Sequence, residues 1–265
     1  MDREQLKQWL VEGKSSREIG RMVNLDSRTV GYWINKFELK DYAKFKRRVA
    51  LNIERIDTKE KAYALGFLLC DGYIDEKSIV AISVAKQDKE IMEFLCKVLD
   101  SSLNFDSKFD KKRRQFPNYF TSRKIKDIKK FTGGRLKVER HYPIVPKELE
   151  RYLLQGAFDA DGCITWGRRK DRNRIWQKIS FTSQLKILTG IQQAMYKNIG
   201  ISSVVAPKSN EDCYVMSICN KSDVLKFFHY IYPNEDFIIS HRKYEKFKAL
   251  RLELEEFGGS IDEAI

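Results

Sequence analysis

The stretch "LLQGAFDADGCI", residues 153–164, places two small residues among bulky apolar ones and then presents two acids and a glycine. Gly156 and Ala160 are four residues apart, so they lie on the same face of a helix. A helix with small residues on one face can approach a second helix until the two backbones nearly touch. The sequence therefore predicts a closely packed helix that Gly162 stops.

The stretch "ALGFLLCDGYI", residues 64–74, nearly repeats this pattern and supplies the expected partner helix. Similar elements follow both stretches, which indicates an internal duplication. The two helices are expected to run side by side and to end together, which would bring Asp71 close to Asp161. The predicted interface consists of four small residues, Gly66, Cys70, Gly156 and Ala160.

The two acids are expected to occupy an unfavourable position. A carboxylate at the C-terminus of a helix meets the negative end of the helix dipole, and a second carboxylate nearby adds repulsion. A divalent cation would relieve both, because Mg²⁺ prefers carboxylate, phosphate and water oxygens. The alternative is that each Asp-Gly pair only turns the chain after a core helix. Because the pattern occurs twice, we predict a site for Mg²⁺, or another divalent cation such as Mn²⁺, at Asp71, Gly72, Asp161 and Gly162.

The composition favours a polyanionic partner. The chain has 265 residues, and 50 basic against 37 acidic side chains give a formal charge of +13. Nucleic acid is the expected partner, and a basic protein without one is the alternative. Five cysteines without a CxxC pair indicate neither a disulfide framework nor a zinc site. No signal-peptide core or membrane-length apolar run is present, so we expect a cytoplasmic or nucleoid-associated protein that is not secreted and binds no membrane.

The first 39 residues form a separate module of short helices. Ser15 and Glu18 fit a capping box at the start of one helix. Ile19 and Met22 are expected to face inward from that helix.

A tight turn and a second helix follow in this module. Asn24 can adopt the left-handed turn conformation, and Asp26 can cap the next helix. The whole stretch resembles the helix-turn-helix of resolvases and homeodomain-like modules, although an ordinary helical hairpin is the alternative. In such modules the second helix enters the major groove, which implies that the DNA readers are Ser27, Arg28, Thr29, Tyr32 and Lys36.

The rest of the chain is predicted to contain a linker and two repeats. Residues 40–57 form a basic linker, residues 58–145 the first repeat, and residues 146–265 the second repeat with a C-terminal helix from His241 to about Phe257. Alternating apolar residues predict strands, and residues at helical spacing predict helices. Each repeat therefore has the order αββαββα, and the chain has an α+β fold with eight strands and a small all-α module.

The two stretches quoted above resemble the motifs of the LAGLIDADG homing endonucleases in their two-motif, single-chain form. The resemblance covers roughly residues 58–250 and implies a pseudo-symmetric monomer whose two sheets form a saddle on DNA. It also implies that Asp71 and Asp161 bind the essential metal and act in catalysis. The family string commonly has an acid where this chain has Leu69. Its counterpart, Asp159, is then interpreted as a structural polar residue.

The resemblance implies further residues around each scissile phosphate. Gln87 and Gln184 match the polar residue at the end of the second strand, although either could instead cap the next helix. Either Arg135 or Lys137 matches the basic residue of the first repeat, with Lys137 chosen as the catalytic candidate. For the second repeat, "ISHRKYEKF" offers three candidates, His241, Arg242 and Lys243, of which His241 is chosen; this departure puts equal cutting of both strands in doubt.

Two basic segments are predicted to connect strands and to contact DNA, mostly at phosphates. A solvated loop is the alternative for either segment. The predicted DNA contacts are Lys108, Lys111, Lys112, Arg113 and Arg114 in the first segment, and Arg168, Arg169, Lys170, Arg172 and Arg174 in the second.

The sequence favours a site-specific homing endonuclease, encoded in an intron or phage mobile element. It would hydrolyse phosphodiester bonds of a long, asymmetric double-stranded target across the minor groove with Mg²⁺ and leave short 3′ overhangs. One alternative is a transcription regulator, since some regulators join a LAGLIDADG-like domain to a helix-turn-helix. Another is an intron maturase that binds RNA. Retention of both acids favours cutting.

Overall fold

The computed structural model describes most of the chain, namely residues 1–12, 14–40, 42, 55–74, 79–99, 118–124, 131–134, 136–169, 174–209 and 213–258. The described residues up to 42 form one compact unit, and residues 55–98 and those from 118 onward form a second. No described helix has the length and apolar character needed to cross a membrane.

The described part of the N-terminal unit includes the short helices α1 (Arg3–Val11), α2 (Ser16–Val23) and α3 (Ser27–Lys36). Each helix contributes apolar residues at helical spacing to one small core. That core consists of Leu6, Leu10, Ile19, Val30, Ile34 and Leu39.

Local hydrogen bonds set the ends of α2 and α3 as predicted. The Glu18 amide donates to Ser15 Oγ at 3.2 Å, and the Ser15 amide donates to Glu18 Oε2 at 2.7 Å, which completes the capping box. Asn24 takes a left-handed conformation with φ of 53°. Asp26 Oδ1 then accepts a hydrogen bond from the Arg28 amide at 2.7 Å. The first pair of side chains caps the start of α2, and Asn24 and Asp26 make the turn between α2 and α3 tight.

The prediction that Met22 faces inward is wrong. Met22 is 51% exposed, while Ile19 and Gly20 are buried. A side chain on Gly20 would meet the Leu25 carbonyl oxygen at 2.5 Å, so the turn after α2 folds back onto the helix at this glycine.

The second unit has the α+β composition and antiparallel sheets expected from the sequence. The described elements of the first repeat are α4 (Lys59–Asp71), β1 (Tyr73–Ile74), β2 (Ile79–Ala85), α5 (Lys89–Leu99) and β3 (Asn118–Lys124). Those of the second are α6 (Glu150–Asp161), β4 (Gly162–Arg169), β5 (Arg174–Ser183), α7 (Leu185–Ile199), β6 (Val204–Pro207), β7 (Tyr214–Ile218), α8 (Lys221–Ile231) and α9 (His241–Gly258).

Each repeat forms its own antiparallel sheet. The strand orders are β1-β2-β3 and β4-β5-β7-β6. In the order αββαββα predicted for the first repeat, the third strand falls at residues 103–109 and the third helix at residues 124–131. The strand and residues 125–130 lie outside the described residues, and Lys124 belongs to β3. In the second repeat, β4 extends to Arg169 and β5 begins at Arg174, so both strands reach into the basic segment that was predicted to connect them.

The second sheet is covered by helices on one face. Ile179 and Phe181 of β5 are buried, while the neighbouring Lys178 and Ser180 remain partly exposed. This alternation is that of a strand with one covered face and one open face. Four aromatic rings fill the covered side, from α6, β5, α8 and α9: Phe158, Phe181, Phe227 and Phe247.

Candidate active site

The helices α4 and α6 end at the two predicted acids, Asp71 and Asp161. Gly72 and Gly162 are the C-caps, and both take extended backbone conformations. A Cβ on Gly72 would lie 2.4 Å from the Leu68 carbonyl oxygen, and one on Gly162 would lie 2.1 Å from the Phe158 ring. Both positions therefore require glycine for steric reasons, because the chain turns directly into a strand after each acid.

The two helices touch at their backbones. A Cβ on Gly66 would lie 2.0 Å from the Leu153 carbonyl oxygen, and a Cβ on Gly156 would lie equally close, at 2.0 Å, to the Tyr63 carbonyl oxygen. One turn later, Cys70 is buried and Ala160 packs against the main core. This contact makes α4 and α6 end side by side.

The side-by-side ends place the two carboxyl groups close enough for the charge of Asp161 to act on Asp71. The Asp71 residue has solvent access, but protein atoms surround its carboxyl group on most sides. Desolvation by that protein, followed by the negative charge of Asp161, raises the pKa of Asp71 to about 6. Lys137 and, to a smaller extent, Lys243 oppose this rise. A pair of carboxylates held in this way is electrostatically unfavourable without a cation.

Lys137 is the predicted basic residue that contacts the acid pair. Its ammonium group donates to Asp161 Oδ2 at 3.1 Å, from the turn Lys137–Glu139. The other candidate, Arg135, lies outside the described residues.

Two buried cations hold the ends of the acid-bearing helices. Arg140 Nη1 donates to the Leu68 and Leu69 carbonyl oxygens at 3.2 and 3.1 Å. Lys243 Nζ donates to the carbonyl oxygens of the equivalent turn of α6, those of Phe158, Asp159 and Ala160. Leu68 and Phe158 also accept from the C-cap amides of Gly72 and Gly162, whereas the carbonyls that follow them have no partner within the helix. The two cations bond to both kinds of carbonyl and offset the dipole.

Sequence reasoning missed the role of Arg140 and offered Lys243 only as one of three candidates. The detectable signal was a basic residue in the segment that follows the third helix of each repeat. Desolvation lowers the pKa of both cations, and they are only 2% and 5% exposed. Their burial prevents direct contact with a large substrate.

The other candidate side chains occupy different positions. Gln87 is exposed in the turn before α5, and Gln184 precedes α7 without making a side-chain cap hydrogen bond. The structure pairs His241 with Glu90: the His241 amide donates to Glu90 Oε1 at 3.0 Å, and Nδ1 lies 3.3 Å from Oε2.

Asp159 is buried among hydroxyl groups. Tyr63 donates to its Oδ2 at 2.8 Å, and Tyr232 donates to its Oδ1 at 2.9 Å. Burial raises the pKa of Asp159 to about 6, and Lys243 and the two tyrosines oppose that rise. Both carboxylate oxygens are used internally, which suits the structural role expected for Asp159.

The predicted DNA contacts of the N-terminal unit lie on α3. Arg28, Thr29, Tyr32 and Lys36 are exposed, and Ser27 is half-buried. The Lys36 ammonium lies 4.8 Å from the centre of the Trp33 ring. The open face of α3 therefore combines positive charge with an exposed aromatic side chain.

The described basic residues of the second predicted segment lie in strands. Arg168 and Arg169 lie in β4 and Arg174 in β5, not in the strand connection that was predicted. Arg168 forms ion pairs with Glu253 at 3.4 Å and Glu256 at 3.9 Å, while Arg169 is exposed. The remaining predicted contacts lie outside the described residues, namely Lys108, Lys111, Lys112, Arg113, Arg114, Lys170 and Arg172.

Few of the described side chains could act as ligands at the candidate metal site. Within the described ranges, no group of three or more His, Cys, Asp or Glu side chains is arranged to hold a metal ion. Two carboxylates at an exposed position fit a hard cation that keeps water and phosphate oxygens as its other ligands.

Comparison with known proteins identifies one family domain in this chain. Residues 148–232 match the LAGLIDADG-like domain family. No curated protein matches the chain by sequence. The structure of the LAGLIDADG homing endonuclease I-LtrWI bound to target DNA is similar, with a TM-score of 0.52 and 10% identity over 76% of this chain and 91% of that one.

Two further solved structures have the same level of similarity. I-SmaMI, a meganuclease bound to uncleaveable DNA, has a TM-score of 0.52 and 11% identity over 74% of this chain and 90% of that one. The LAGLIDADG meganuclease I-AabMI, bound to uncleaved DNA, has a TM-score of 0.51 and 12% identity over 73% of this chain and 91% of that one. At these identities the likeness concerns the fold alone. The chain thus carries a LAGLIDADG-like domain at residues 148–232 and has the fold of the LAGLIDADG homing endonucleases.

Proposed function

We propose that this chain is a site-specific DNA endonuclease that hydrolyses phosphodiester bonds with the help of a divalent cation. The observation that carries the proposal is the placement of Asp71 and Asp161 at the adjacent ends of two helices whose backbones touch. Two carboxylates in this arrangement lower the stability of the protein. A gain in function explains why the chain keeps them.

The residues present suit Mg²⁺ or Mn²⁺. Asp71 and Asp161 would hold the ion, and the bound ion would lower the pKa of a water molecule and neutralise charge on the phosphate. The ammonium group of Lys137, which contacts Asp161 at 3.1 Å, is placed to stabilise charge on a phosphate oxygen. Arg140 and Lys243 act indirectly, because they fix the helix ends that carry the acids.

Double-stranded DNA is the proposed substrate. The chain carries a formal charge of +13, and the open face of the second sheet presents Lys178 beside small polar side chains such as Thr165 and Ser180. Strand side chains of this kind can read base edges in the major groove. The two repeats differ in sequence, so a single chain would bind a long, asymmetric site and cut both strands across the minor groove, leaving short 3′ overhangs.

Cleavage of a DNA library tests the proposal. The library contains the sequences that flank the gene, and new ends are sequenced after incubation with Mg²⁺ or with EDTA. We expect discrete paired ends with short 3′ overhangs that require the divalent cation. Sites that are protected from nuclease digestion but stay uncut with Mg²⁺ and Mn²⁺ would instead favour a regulator. Preferred binding to structured RNA would favour a maturase.

The N-terminal unit is proposed to extend the DNA footprint through α3. The Arg28 side chain is 96% exposed, and Lys36 lies on the same open helix. Removing both charges with Arg28→Ala and Lys36→Ala should weaken binding about tenfold and shorten the protected region at one end, because two phosphate contacts are lost.

A matched double variant distinguishes specific DNA binding by α3 from a general loss of positive charge. Arg3→Ala with Lys7→Ala removes the same charge from α1. Affinity is measured by fluorescence anisotropy and footprint length by nuclease protection. Equal weakening by the two double variants, with an unchanged footprint, would contradict a specific role for α3.

A further inference from the structure

We infer that Trp176 makes the target site selective for the 5-methyl group of one thymine in the major groove. The inference rests on the proposed function, because it concerns the double-stranded DNA that the second sheet would bind. Its structural basis is an exposed indole ring that the strand register holds at one place on the open face of that sheet.

Trp176 lies in β5 and points away from the helices. Its neighbours along the strand, Ile175 and Gln177, belong to the covered side, and Ile175 is buried. Trp176 itself is 42% exposed. Exposure alone does not indicate a function, since single apolar side chains are common on protein surfaces. The groups around the ring carry the inference.

Cations flank the ring on the same face of the sheet. Lys178 is the next residue of β5 on this face, and it pairs in register with the exposed Thr165 of β4. Arg169, at the other end of β4, is exposed and follows the same alternation. Phosphates of a bound duplex would be attracted to both cations. The ring between them would then face the groove.

Gly167 provides the space that the ring occupies. It is the register partner of Trp176, and a Cβ on Gly167 would lie 2.8 Å from Nε1 and 3.1 Å from Cε2 of the indole. The edge of the ring that carries the N–H group therefore lies over the backbone of β4. The ring is fixed before DNA binds, and the part of it that faces outward is hydrocarbon. The alternative role is structural, because an aromatic ring that covers a glycine stabilises a sheet.

An outward-facing hydrocarbon surface favours one base in the major groove. Thymine presents its methyl group there, whereas cytosine and adenine present amino groups and guanine presents two acceptors. Contact with the indole would remove the methyl group from water, but it would leave a polar group of the other bases without a partner. Burial of one group of this size corresponds to about a fourfold gain in affinity.

The strand geometry also predicts where this thymine lies. Gly167 is five residues beyond Gly162 along β4, which corresponds to about 16 Å. Since DNA rises about 3.4 Å per base pair, the thymine should lie roughly four to six base pairs from the nearer cut. At this distance from Asp71 and Asp161, Trp176 should affect binding and leave the chemical step unchanged.

Replacement of thymine by deoxyuridine tests the inference, because it removes the methyl group and leaves the protein intact. Each thymine of the selected target is replaced in turn. Affinity for the full chain is measured by fluorescence anisotropy, and the cleavage rate is measured at saturating protein with Mg²⁺. We expect one thymine in the stated region at which the wild type loses about fourfold in affinity, with no change in the rate at saturation.

Three variants assign the effect to the ring. Trp176→Ala should bind the thymine and deoxyuridine duplexes equally well, and Trp176→Phe, which keeps an aromatic ring, should retain part of the preference. Tyr196→Ala is the matched control, since Tyr196 is 66% exposed on α7, in the helix layer behind the sheet. This control should keep the full fourfold preference. The Tm of each variant is measured, so that loss of the fold is not mistaken for loss of the contact.

The other results would overturn the inference in distinguishable ways. Wild-type binding that depends on no thymine methyl group in the stated region would overturn it and leave the endonuclease intact. A methyl preference that persists in folded Trp176→Ala would overturn the assignment and leave Trp176 with only the structural role over Gly167. Failure to bind any duplex DNA would overturn the proposed function and the inference together.

Discussion

Asp71→Asn and Asp161→Asn should each lower the rate of DNA cleavage about a thousandfold or more, while DNA binding persists. Asparagine keeps the shape of the side chain but removes the charge that would hold a divalent cation. The acids lie at the ends of α4 and α6 and are not needed for the contact at Gly66 and Gly156, so the fold should survive.

A thermal readout separates loss of metal binding from other causes of inactivity. Mg²⁺ should raise the Tm of the wild type, since a ligand that binds only the folded state stabilises it, and should leave the Tm of both variants unchanged. Without Mg²⁺, Asp71→Asn should be more stable than the wild type by about 1 kcal/mol, a modest gain because Asp71 is solvent-exposed.

Asp57→Asn is the matched control for both variants. It makes the same change at an exposed carboxylate just before the opposite end of α4. Cleavage and the response to Mg²⁺ should match the wild type. If the Asp161→Asn protein cut DNA at the wild-type rate, the acid pair would have no catalytic role and the metal site would have to lie elsewhere.

Gly156→Ala should destabilise the protein by about 3 kcal/mol or more, the largest effect on stability that we expect from a single methyl group. The added Cβ would lie 2.0 Å from the Tyr63 carbonyl oxygen, which belongs to backbone and cannot move without separating α4 from α6. Gly66→Ala should act in the same way through the Leu153 carbonyl oxygen.

Gly31→Ala provides a control of opposite sign. Gly31 lies inside α3, and nothing is within 4 Å of the position its Cβ would take. Alanine there should stabilise its helix by about 0.5–1 kcal/mol through backbone entropy alone. Urea unfolding followed by circular dichroism measures the three variants. Wild-type stability of Gly156→Ala would mean that the helix backbones are further apart than described.

Local features of the fold could be predicted from the sequence because short-range interactions set them. The capping box of Ser15 and Glu18, the left-handed Asn24 and the helix stops at Gly72 and Gly162 each depend on residues within a few positions. The contact between α4 and α6 was also predictable, because small residues repeated at helical spacing allow two helix backbones to approach closely.

Contacts between residues distant in sequence could not be predicted in this way. Arg168 pairs with Glu253, and Arg242 binds Asp88 from the other repeat. A charged side chain in a sequence does not reveal which partner the fold brings to it. For the same reason His241 was chosen for the second half of the site although it is paired with Glu90, while the role of Arg140 was missed.

The hydroxyl groups around Asp159 constrain the modular engineering of this protein. Tyr63 comes from the first repeat, whereas Asp159 and Tyr232 come from the second. A chimera that replaces the first repeat with one from another protein would leave Asp159 Oδ2 without its donor unless the new repeat also has a hydroxyl group at the position of Tyr63. Compatible halves can therefore be selected by this one position before any DNA contact is redesigned.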